Sequence, residues 1–257
     1  MPITRPLASC VLALSLVTGV ARATCPPVDQ SHTQWTALLQ SWVQDGRVDY
    51  AGLGQNGRAA LDGYLAGLSN ACATDYERWT SAERIAFWVN AYNAATVRLI
   101  LDHYPIASIR KIGWLPGAAF RQKLLPMEGL KGGTISLDDI EHGTLRSSFH
   151  EPRIHFALVC AARSCPALRS EAYRGADLDR QLDDQARQFL HDPRKNRVDP
   201  ATRTLRLSPI FKWFRADFEA ESGSLSRYLA RYLGDVGAYD VEFLDYDWSL
   251  NDRAAPG

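Results

Sequence analysis

Residues 80–105, TSAERIAFWVNAYNAATVRLILDHYP, decide how this chain folds. Thr80 with Glu83 three residues later is a capping-box start, because hydroxyl and carboxylate each satisfy a backbone N–H that the first helical turn leaves open. Tyr104-Pro105 is a stop, since the residue before proline is pushed out of helical geometry. Between these ends Ile85, Phe87, Trp88, Val89, Tyr92, Val97, Leu99 and Ile100 cover nearly every face. A helix that is apolar all round is a buried one, so the rest of the chain is expected to wrap around it. Its polar residues Asn90 and Asn93 share a stripe with Glu83 and need hydrogen-bond partners. Two readings stay open: the amides tie the helix to loop backbone, or one of them lines a polar site and donates to a substrate oxygen.

Upstream, Trp35–Val43 and Ala59–Leu68 show apolar residues at helical spacing, separated by a stretch holding Gly46, Gly52, Gly54 and Gly57. Downstream, a Pro/Gly-rich segment with Trp114 and Pro116 leads to SLDDIEHGTLR, where Ser136 is the expected cap and Asp138, Glu141 and His142 fall on one helical face. Arg153–Val159, RIHFALV, predicts a buried strand. Pro166 predicts a new helix with Cys165 at its N-cap. LDRQLDDQARQFL reads as an amphipathic helix, RVDPATRTLRL as a hairpin around Asp199-Pro200, and Ser208-Pro209 as the opening of a helix with Phe211, Phe214 and Phe218 inward. A helix through Leu225, Tyr228, Leu229, Tyr232 and Leu233 and a last strand in VEFLDYDW complete an α+β chain, mostly helical with a small sheet.

The first 23 residues carry the pattern of a secretory signal peptide. Arg5 precedes an apolar run from Leu7 to Val20, and Ala21-Arg22-Ala23 supplies the small residues of a cleavage site after Ala23. The run is short for a membrane span, which needs roughly 20 apolar residues. Cys10 lies before that run rather than after it, against a lipoprotein site. Residues 24–257 are then one exported globular domain, periplasmic or secreted, without an integral membrane segment. The leader holds two of the 29 Lys and Arg and none of the 29 acids, leaving a net charge of −2. That balance gives no electrostatic footprint for nucleic acid or an anionic membrane. Cys25, Cys72, Cys160 and Cys165 remain, and an oxidising compartment allows any of their pairings.

VCAARSCPAL, residues 159–168, concentrates the chemistry. A thiol at a helix N-terminus meets open N–H groups and the positive end of the helix dipole, both of which favour thiolate. Cys165 is the expected nucleophile. His142 is preferred as its base over His155, with Asp138 or Glu141 orienting the imidazole. Asn90 and backbone N–H groups after Cys165 would hold an oxyanion, although Pro166 has no N–H to give. A disulfide between Cys160 and Cys165 is the competing reading. No Cys or His spacing resembles a structural zinc site, and no cofactor is expected.

ERIAFWVNAYNAATVRLIL, ISLDDIEHGTLR, IHFALVCAARSCPAL and LSPIFKWF, in this order, resemble the domain-of-unknown-function 547 family from about Trp35 to Trp248. The resemblance implies a fold and a site location rather than an activity. The family's recurrent positions fall here on Asn90, Glu141, His142, Arg146, His155, Cys160, Ser164 and Cys165. Its members include exported bacterial proteins, plant proteins with a leucine zipper, and fusions to glutaredoxin, the last an association with thiol chemistry.

Three functions follow as expectations. The first is a papain- or transglutaminase-like cysteine hydrolase or acyl transferase acting on an amide or peptide. The others are a non-catalytic binding domain for a small molecule, peptide or protein, and a thiol/disulfide protein of the cell envelope using Cys160 with Cys165.

Overall fold

A computed structural model describes residues 25–254; the expected signal peptide lies outside the described residues. Helix Ser81–His103 forms the centre, with both halves of the Thr80/Glu83 capping box made. Sixteen of its residues are buried, from Ile85 to Leu101, as an all-round apolar helix requires. Helices Thr33–Trp42 and Arg58–Ser69 pack on one side, through Trp35, Leu38, Leu39, Leu61, Tyr64 and Leu68. The Cys25–Cys72 disulfide ties the start of the described chain to the end of this helical layer.

A second apolar cluster lies C-terminal to this core. Phe189, Phe211, Phe218 and Tyr228 fill it from helices Leu178–His191, Ile210–Trp213, Arg215–Ser222 and Leu225–Leu233, joined by Phe156 from the short segment before Ala157. A three-stranded sheet flanks it. The hairpin Arg197–Asp199 and Thr204–Leu207 is antiparallel, and Asp240–Phe243 joins the second of these strands in parallel. The α+β expectation is met. No helix among the described residues is long and apolar enough to cross a membrane.

Three local expectations fail: the helix opened by Ser208-Pro209 breaks at Phe214 into Ile210–Trp213 and Arg215–Ser222, and the other two failures shape the site. Residues 153–159 are not a strand. Pro152–Phe156 is a 3-10 helix, begun by Pro at its first position and by Glu151, whose carboxylate accepts from Arg153 N. All of its residues but Arg153 are buried, so apolar content there carries no period to distinguish strand from turn. In the segment after it, Asn93 takes the place of a neighbouring strand. Its Nδ2 donates to Ala157 O at 2.9 Å, and its Oδ1 accepts from Val159 N at 2.9 Å. Asn90 does the same one turn earlier with Tyr173 O and Tyr173 N. The tie to loop backbone is what both amides make.

The helix expected at Pro166 is also absent. Cys165 N donates to Ala162 O in a turn, and no helix forms between Cys165 and Arg174. Cys165 therefore has no helix dipole behind it.

Candidate functional site

The site lies at the seam of the two clusters, where the loop Cys160–Cys165 meets the C-terminal segment. Ala161 turns the loop with φ 60°, a left-handed conformation rare for a residue with a Cβ. The C-terminal segment runs beside it as a ladder. Asn251 N donates to Ala161 O, Arg163 N to Ser249 O and Ser164 N to Asp247 O, while Asp247 N donates to the Ser164 hydroxyl at 2.8 Å. Ser164 thus positions the segment that carries Tyr246 and Trp248.

Cys160 and Cys165 form a disulfide. Cys165 is buried and Cys160 is partly exposed. Two donors converge on Cys165 Sγ, the Cys160 amide at 3.0 Å and the Tyr246 hydroxyl at 3.2 Å, while the same hydroxyl lies 3.4 Å from Cys160 Sγ. Burial and the Glu141 carboxylate push the Tyr246 phenol above its ordinary range, so it stays protonated and able to donate.

Helix Leu137–Ile140 begins with a Ser136/Asp139 capping box and continues as a π turn, Glu141–Arg146. The wider turn places Glu141 inward, where Tyr92 donates to its carboxyl. Burial raises the Glu141 pKa to about 7, helped by Asp138 and opposed by Arg146 and Tyr92. The carboxyl is poised to exchange a proton at neutral pH.

Among the described residues the side-chain partner of His142 is Arg146, not an acid. Arg146 Nη1 lies 3.0 Å from its Nδ1. A guanidinium only donates, so Nδ1 accepts and the ring proton sits on Nε2. His155 is buried against Phe214 with ring centroids 3.8 Å apart, and its Nε2 is 2.7 Å from Asp217 Oδ2. Arg146 grips the same carboxylate twice, Nε to Oδ2 at 2.6 Å and Nη2 to Oδ1 at 2.9 Å. These bonds, His155 first, hold Asp217 well below the usual carboxylate range. Burial lowers the His155 pKa, against the pull of Asp217.

These groups share one cavity of about 180 Å³, lined by Asp138, Glu141, His142, His155, Cys160 and Cys165 and walled by Tyr92, Phe120, Trp213, Phe214, Tyr246 and Trp248. Of the residues singled out in the sequence, Arg146 and Ser164 stand behind this wall as supports. Asn90 is not part of the lining; its amide is spent on Tyr173.

Residues 76–190 match the family model described as "Protein of unknown function, DUF547". Over those residues the chain is similar to the DUF547 family. Nothing matches the chain among curated proteins or among solved structures. The DUF547 match contains every cavity residue that the sequence marked as a catalytic candidate. Five further lining residues lie beyond it, Ile210, Trp213, Phe214, Tyr246 and Trp248, and so does Asp217, the partner of His155. Sequence reasoning placed Phe214 in the core and missed Asp217, Tyr246 and Trp248. The available signal for Asp217 was its position three residues after Phe214 on an otherwise inward helical face; nothing in the sequence marked Tyr246.

Proposed function

We propose that the protein is an exported thiol–disulfide exchange protein whose reactive group is the Cys160–Cys165 disulfide and whose substrate is a dithiol on a small molecule or peptide. Convergence of two donors on one sulfur, the buried Cys165, carries this reading. Exchange speeds up as the leaving thiol becomes more acidic, and an N–H and an O–H aimed at Sγ stabilise it as thiolate. An incoming substrate thiolate attacks the accessible Cys160 Sγ, the S–S bond breaks, and Cys165 leaves as thiolate on those two donors. A second substrate thiolate then attacks the substrate sulfur of the mixed disulfide and releases Cys160. The substrate ends as a disulfide and the protein as a dithiol, so two electrons pass to the protein. Glu141 takes the proton of the incoming thiol and returns it to Cys165.

Loop length supports the same assignment. By chain entropy a crosslink 47 residues apart contributes about 4 kcal/mol, but one 5 apart only about 2 kcal/mol. Cys160–Cys165 is the bridge the fold gives up more easily. Export rests on the leader sequence and on two disulfides that suit an oxidising compartment.

The test is oxidation of a reduced dithiol peptide with glutathione disulfide as the terminal oxidant. Wild-type protein accelerates it, Cys160→Ser abolishes the acceleration, and Tyr246→Phe slows it about fivefold, the worth of one net hydrogen bond. A rate equal to that without protein overturns the proposal.

The Asp217–His155 pair favours a second reading, the cysteine hydrolase or acyl transferase. Asp217 fixes the proton on His155 Nε2, which makes Nδ1 the basic nitrogen, whereas His142 presents an N–H. The base then moves from His142 to His155, and activity requires reduction of Cys165. Release of a leaving group from an activated ester only after reduction, lost in His155→Ala, distinguishes it.

A further inference from the structure

We propose that the turn between Gly113 and Gly117 is a docking tip that seats the protein on an anionic lipid surface. Trp114 is fully exposed and Leu115 is 70% exposed, with Pro116 beside them. A large apolar pair held out in water is unfavourable unless something covers it.

The tip is built, not frayed. Gly113 and Gly117 turn at φ 79° and 72°, a region that glycine alone enters without strain. Ala118 N donates to Leu115 O at 3.0 Å, and Arg121 Nη2 to Pro116 O at 2.7 Å. Buried Ile109, Ile112 and Ala119 pin both stems to the core. The fold thus spends interior anchors on presenting a tryptophan outward.

Charge commits the occupant. Residues 103–127 contain no Asp or Glu but carry Arg110, Lys111, Arg121 and Lys123. Lys123 is bonded to Asp139; Arg121 is held at the tip by Pro116 O, and Arg110 and Lys111 precede Trp114 on the incoming stem. An exposed indole and leucine on a segment that carries only cationic charge is the pattern that binds anionic bilayers. The near-neutral charge of the whole chain conceals this local excess. The same segment borders the cavity, since Phe120 lines it and Arg110 lies 5.4 Å over the Trp248 ring. Docking holds the cavity mouth at the headgroup layer.

The experiment is sedimentation of the exported protein with vesicles of phosphatidylglycerol and phosphatidylcholine, or of phosphatidylcholine alone, with bromine-labelled lipid as a tryptophan quencher. Expected are binding to the anionic vesicles that weakens with salt, loss of about tenfold or more in Trp114→Ser/Leu115→Ser, and loss of about fivefold for each of Arg110, Lys111 and Arg121 changed to Gln. Circular dichroism checks that these surface variants fold. Binding equal in wild type and the tip variant, or no binding by wild type, overturns the proposal. So does a concentration-dependent dimer lost in the tip variant, which would assign the tip to a second copy.

Discussion

His155 Nε2 lies 2.7 Å from Asp217 Oδ2, across 62 positions of sequence, and Arg146 holds the same carboxylate. The pair bolts the second cluster onto the wall of the cavity. Asp217→Asn leaves a guanidinium and a buried imidazole with a neutral partner, and is expected to cost about 1–3 kcal/mol, given the partial exposure of the acid. Urea unfolding measures it. Because the folded carboxyl titrates far below its ordinary 3.8, the contribution is complete above that pH and fades as pH falls below it.

Glu141 has the opposite sign. Its carboxyl moves from an ordinary 4.5 to about 7 on folding. Between those values the folded state keeps a proton that the unfolded state has lost, so stability falls as pH rises from 4.5 to 7 and levels off above. Glu141→Gln removes that slope in unfolding experiments across the window, by up to about 3 kcal/mol.

Asn93→Ala and Asn90→Ala each strip both partners from a loop backbone pair in the core. Each is expected to cost about 2–4 kcal/mol, from lost bonds and two orphaned backbone groups. Hydrogen exchange reads where: Val159 N loses protection in the first variant and Tyr173 N in the second.

Replacing Cys25 and Cys72 together with Ser is expected to lower stability by about 4 kcal/mol, and replacing Cys160 and Cys165 by only about 2 kcal/mol. Thermal unfolding of the two double variants compares them directly.

The central helix, its capping box and the amide ties were legible because all-round apolarity leaves a buried asparagine few alternatives. The late hairpin and the helices Leu178–His191 and Leu225–Leu233 were equally plain, whereas the single helix expected from Ser208 breaks at Phe214. The site was legible only as a set of residues. Glu141, His142, His155 and the two cysteines do share a cavity, yet their roles depended on local backbone that no period encodes. A proline read as a helix start became a turn, a strand became a 3-10 helix, and a π turn gave His142 to Arg146 rather than to Asp138. Tyr246 and Asp217 arrive from segments whose own patterns concern only their immediate packing. What a sequence pattern cannot show is which distant side chain fills the last position around a sulfur.

One measurement bears on the central claim most directly. The oxidised protein is mixed with an equimolar small thiol, quenched in acid within its first turnover, and mapped by peptide mass. The account predicts the incoming thiol bonded to Cys160, with Cys165 free. An adduct on Cys165 instead, or a Cys160–Cys165 bridge that stays intact until the protein is denatured, would contradict it.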